Sequence, residues 1–197
     1  MDAQTQTRPI KQIQRLNPVE QRFAPLFGFL LLTSACALAS FAFACATPFA
    51  AFAVIAAAML PLTSALAVVG AAWCVNQAIG FGALHYPIDA STLAWGLAIG
   101  AGAFIATMAA AVTLRALRAT AGAVAFGTAF LVAYVAYEVA LRLVASVLGG
   151  SENFTNEIVG RLGVLNLIWV VGLLGVCEAS RFVAVGLRAK RGARLVR

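Results

Sequence analysis

Apolar residues run through this chain in long blocks, and short polar breaks separate them. The first block extends from Pro25 to Ala46 and stops at Thr47-Pro48, where the residue before proline is pushed out of the helical region. The second runs from Phe49 to Leu84. As one helix it would be ~54 Å long, whereas about 30 Å of hydrocarbon has to be crossed. Pro61 divides it naturally, predicting a short helix over 49–59 and a fuller one over 62–82. Further blocks span Ser91–Leu114, Thr120–Leu148 and Glu157–Leu187. The breaks at His85–Asp89 and Gly149–Asn153 carry the residues of loops.

Composition turns this helical pattern into a membrane protein. Of 197 residues, 62% are hydrophobic and 11% charged. A soluble domain is nearer half apolar and a quarter charged. A water-soluble enzyme is thereby excluded.

The net charge of +7 sits beside the apolar blocks. Arg8, Lys11, Arg15 and Arg22 precede the first, and Arg181, Arg188, Lys190, Arg191, Arg194 and Arg197 close or follow the last. Such flanking charge orients spans in a bilayer, and it lacks the aromatic interleaving of a nucleic-acid surface. No nucleic-acid partner is expected. Six spans keep Arg115, Arg118 and both basic ends in the cytoplasm, whereas five would export the turn and the tail.

The expectation is an all-α polytopic protein with six transmembrane helices and both termini cytoplasmic. It comprises a basic segment 1–22, a helical domain 23–187 and a basic tail 188–197. The polar N-terminus argues against a cleaved signal peptide. Cys36, Cys45, Cys74 and Cys177 form no CxxC pair, which argues against a disulfide framework or a thiol-only zinc site.

Most of the chain is small or aliphatic, and pairs such as Ala35/Ala39 and Gly96/Gly100 suit close helix packing. The stretch from Trp73 to Pro87 differs. It gathers Trp73, Cys74, Asn76, Gln77, Phe81, the single histidine His85 and Tyr86, with Asp89 shortly after. Trp73, Gln77 and Gly80 share one helix face; Cys74, Ala78 and Phe81 share the next.

Polar groups at membrane depth face either a cavity or a neighbouring helix. Two readings stay open: a pocket with Cys74 at its floor and His85, Tyr86 and Asp89 at its rim, or interhelical hydrogen-bond glue around a buried thiol. The i, i+4 spacing of His85 and Asp89 is no metal site, because Pro87 interrupts the helix it requires. Glu138 and Arg142 share a helix face and can neutralise each other, as can Glu178 and Arg181. Arg142 could instead meet a ligand, covered by the outer loop of Ser151, Asn153, Thr155 and Asn156.

Six spans, a short second helix and an outward polar rim resemble the substrate-binding S-components of energy-coupling-factor vitamin transporters. Within that group, Trp73-Cys74 to Tyr86-Pro87 resembles the BtuM family of solitary bacterial cobalamin transporters. The resemblance implies an S-component-like bundle in the bacterial inner membrane that binds and imports cobalamin. It implies a third-span cysteine, here Cys74, that ligates cobalt and promotes decyanation of cyanocobalamin. Trp73, Asn76, Gln77, Phe81, His85, Tyr86, Asp89, Arg142 and Asn153 are the candidate contacts, and no free metal ion is expected. An energy-coupling module is a conceivable partner, as is none. The chain has no GxxxxGK[ST] motif and does not itself hydrolyse ATP. A carrier for another vitamin or chelate, and a non-transport scaffold subunit, are the competing readings.

Overall fold

The structure, a computed structural model, describes residues 16–43 and 46–195, with side chains to Gly186. The expectations that involve Arg8, Lys11, Arg15, Cys45, Arg197 and the side chains of Arg188, Lys190, Arg191 and Arg194 lie outside the described residues. The described chain folds into six α-helices: α1 (Ala24–Phe43), α2 (Phe49–Met59), α3 (Leu62–Ala78), α4 (Ala90–Ala116), α5 (Gly122–Leu148) and α6 (Asn156–Leu195). A π-helical segment, Ile79–Ala83, extends α3. Short 3-10 turns precede α1 and α6.

Five of the six are long and apolar enough to cross a membrane. The sixth corrects the expected count of six spans. At 11 residues, α2 is ~16 Å long and cannot cross the hydrocarbon layer.

It is instead the core of the molecule. A helix apolar on every side must be covered on every side, and ten of its residues are buried. The bundle closes around it through α3, α4, α5 and α6. Its many alanines let those neighbours approach; Phe49 and Phe52 fill the wider gaps, packing against Tyr137 and Trp169.

Despite its length, α2 reverses the chain. Its start lies beside the far part of α1, where Thr47 and Ser40 meet. Its end returns toward the start of α1, where Leu16 N–H donates to the Ala58 carbonyl and Gly28 faces Met59 and Leu60. The next helix, α3, therefore runs parallel to α1, and the alternation expected of six passes is preserved. Asn17–Gln21 and Arg181–Val185 line one cleft, so the two ends of the described chain lie at the same end of the bundle. The segments 84–89 and 149–155 lie at the other, here the far end.

The N-terminus of a buried helix has N–H groups that water cannot reach. Pro48 offers no side-chain cap. Asn166, buried on α6, supplies one from across the bundle: its Oδ1 accepts from Ala51 N–H at 3.1 Å, while its Nδ2 donates to Leu162 O.

Candidate functional site

The polar residues of α3 point in different directions around the helix. Trp73 and Gln77 face α4. The indole Nε1 donates to Gly96 O at 2.8 Å, and a Cβ on Gly100 would lie 2.7 Å from the indole ring. A Cβ on Gly96 would meet Gln77 Oε1 at 2.4 Å. The Gly96/Gly100 spacing is thus a true close approach of α4 to two large side chains.

Asn76 faces α1. Its Nδ2 donates to Ser40 Oγ and to Thr47 Oγ1, each at 2.9 Å, and its Oδ1 accepts from Gln77 Nε2 at 3.0 Å. One turn away, Cys36 Sγ donates to Ala72 O at 3.0 Å. Three polar members of the cluster therefore join α3 to its neighbours.

Cys74 faces away from all of them. It is exposed, on the stripe of α3 that also exposes Thr63, Ala67 and Ala78. At 100° per residue these positions fall within one narrow sector, opposite the buried Ala65 and Ala72. Cys36 and Cys177 are both buried. The arrangement at Cys74 is an open strip rather than the expected floor of a hollow. It continues through partly exposed Phe81 and exposed Gly82 to exposed His85. The apolar groove lined by Phe27, Leu31 and Leu38 of α1 and Trp169 and Val176 of α6 lies elsewhere.

Beyond the π-helical segment the chain turns sharply. His85 has φ 54°, and Tyr86 N–H reaches back six residues to Gly80 O at 3.0 Å. A left-handed residue just past the helix occupies a place normally given to glycine, and the bond spans one residue more than the 6→1 bond of a Schellman motif, in keeping with the wider π-helical turn before it. The turn lays the Tyr86 ring on Gly80, edge-on to Phe81 with centroids 6.4 Å apart.

Asp89 is the N-cap of α4. Its Oδ1 accepts from Thr92 N–H at 2.8 Å, and this bond holds its carboxyl below the usual range.

The remaining candidates lie across α4. Arg142 Nη2 donates to Phe154 O at 3.2 Å, and Phe154 stacks on Trp95 with centroids 6.4 Å apart. Asn153 N–H closes the same turn onto Gly150 O.

The expected pairing of Arg142 with Glu138 is not formed. Among the described residues the ion pairs are Arg22–Glu20, Arg161–Glu157 and the expected Arg181–Glu178, the last at 2.9 Å. Glu138 is only 6% exposed, and its Oε2 has no hydrogen-bond partner. Sequence reasoning passed over Ser40, Thr47, Trp95 and Asn166. Asn166, a lone amide between Leu162 and Val176, was the one with a visible signal.

Fold and site together give a helical bundle with five helices suited to crossing a membrane and a polar, aromatic-rich far end. Comparison with protein-family models, curated proteins and solved structures returned no match. The class is thereby a small all-α protein with five long apolar helices, and no family is assigned.

Proposed function

We propose that this protein is a bacterial inner-membrane carrier that binds cobalamin at its outer face, with both termini in the cytoplasm and Cys74 as the cobalt ligand. The observation that carries the reading is the exposure of Cys74 beside two buried thiols. The core around α2 is closed, and Cys74 stands outside it on the outward-facing side of a helix long enough to cross the membrane. The strip from Cys74 past Phe81 to His85 offers a sulfur, an aromatic edge and an imidazole in line. His85 supports the same reading, because a left-handed position that glycine fills at lower cost carries a large polar side chain. The resemblance of the stretch from Trp73 to Pro87 supplies the identity of the ligand.

The chemistry is ligand substitution. The Cys74 sulfur donates an electron pair to Co(III) to form the cobalt–sulfur bond, the cobalt–carbon bond to cyanide breaks, and cyanide leaves with the pair of that broken bond. The thiol proton passes to cyanide, giving hydrogen cyanide. No oxidant or reductant is needed. Soft thiolate suits the metal, whose charge favours loss of the thiol proton. Trp73, Asn76 and Gln77 act in this scheme by fixing α3 against α1 and α4.

Cyanocobalamin added to the detergent-solubilised protein is expected to show a shifted visible spectrum that Cys74→Ala abolishes. An unshifted spectrum with the unaltered chain overturns the reading. The hydrogen bonds that occupy Asn76 and Gln77 favour a second reading, a membrane scaffold subunit whose polar cluster is interhelical glue. That reading expects stable protein partners and no ligand-dependent rise in melting temperature.

A further inference from the structure

Glu138 lies on α5, ten residues before Leu148, so ~15 Å from the far end of that helix. It is buried at 6% exposure, with Oε2 unpartnered. An ionised carboxylate in that setting has one oxygen cut off from water and no ion pair, a costly state at membrane depth. The neighbours at four residues on either side decide what it does instead.

Tyr134 is the first. Its hydroxyl directs its single proton to Val159 O on α6 at 2.5 Å. Having donated there, the phenol oxygen has only lone pairs to offer. A carboxylate at 138 therefore gains no donor from Tyr134, and burial favours the protonated acid. The second neighbour, Arg142, could neutralise a carboxylate on the same face, but its guanidinium is engaged by Phe154 O in the 151–154 turn. Among the described residues no other charged group takes its place. The faces of α2 and α4 toward α5 carry no ionisable residue. On α6, Glu157 and Arg161 pair with each other on the exposed surface, and Glu152 of the turn is exposed. Tyr137, beside Glu138 on α5, packs against Phe49.

We propose that Glu138 is a proton-binding site controlled by the far-end turn. With Arg142 held by Phe154 O, Glu138 keeps its proton. When the turn moves and that bond breaks, Arg142 drops back one helical turn. The O–H bond of Glu138 then breaks, its proton leaves to water at the far end, and the carboxylate pairs with the guanidinium. Opening of the turn thus releases one proton, and closing takes one up. This goes beyond the cobalamin reading and does not depend on it.

Infrared difference spectra of the full-length protein in lipid, recorded while the pH is stepped, test the proposal. The unaltered chain is expected to show the C=O stretch of a protonated carboxyl at neutral pH, and Glu138→Gln to lose it. In Arg142→Gln the band should persist to higher pH, because the carboxylate has lost its partner. Should Glu138→Gln fail to assemble, Glu138→Asp makes the same assignment by moving the band. Absence of the band at neutral pH, its survival unmoved in the Glu138 variants, or an unchanged pH of loss in Arg142→Gln overturns the proposal. A cobalamin spectrum that fails to shift bears only on Cys74.

Discussion

At the scale of single residues, the far half of the bundle depends on close fits that tolerate little change. Trp73 is pinned by its bond to Gly96 O, so it cannot swing aside for a methyl group on Gly100. Gly100→Ala should therefore cost about 1–3 kcal/mol and lower the melting temperature in detergent. Gly82→Ala, with nothing within 4 Å of the added carbon, should leave it almost unchanged. Asn166→Ala removes the acceptor of Ala51 N–H and strands that donor in the core. A loss of about 1–3 kcal/mol follows, read by the same thermal scan. Polar residues such as Trp73, Asn76 and Gln77 were legible in the sequence because they interrupt apolar blocks. Their partners were not. Ser40 and Thr47 come from another helix, and a side chain's type does not state which neighbour it will meet. The same limit hid the separation of Glu138 from Arg142, since i, i+4 spacing makes a pair possible while the Phe154 carbonyl competes for the guanidinium.

At the scale of elements, the helices were readable and their ends less so. Pro48 and Pro61 stand at the N-caps of α2 and α3, where proline's fixed backbone suits the entry to a helix. The rule that a span needs about 20 apolar residues argued against counting 49–59 as one, yet charge balance demanded a reversal there. The structure has the reversal, made by a helix too short to count as a span. The ending of α3 was hidden, since His85 is an unusual occupant of a left-handed position. Asp89 is also an end residue. Its carboxyl is depressed in the folded protein, so the cap stabilises α4 above the ordinary carboxylate value and is lost as pH falls through the folded one. The melting temperature of the protein should exceed that of Asp89→Ala at neutral pH. The gap should shrink progressively below about pH 4.

At the scale of the whole molecule, the alternation of helices puts the two ends of the described chain together and the 84–89 and 149–155 segments opposite. Single cysteines introduced at Thr120 and Ser151, in a chain lacking its native thiols, should react with a membrane-impermeant reagent from opposite sides of sealed vesicles. Reaction from the same side would refute the alternation. Cys74 in the unaltered protein should react in detergent before Cys36 and Cys177, which lie inside the bundle. Groove and strip fall on different faces, with the α1–α6 side apolar and the α3 side carrying the thiol.

The enclosure of α2 bears on how the protein is made. A segment of 11 residues is too brief for insertion machinery to settle as an ordinary span, and the walls that shelter it include α4, α5 and α6, synthesised afterwards. The third helix consequently cannot take its final direction as it emerges; it must wait for later partners to draw the short segment inward. Chains truncated before Ala90 should leave α3 in mixed directions, measurable by glycosylation tags placed after Leu84, whereas chains reaching Leu195 should show one. Biogenesis here would be completed by assembly rather than by insertion.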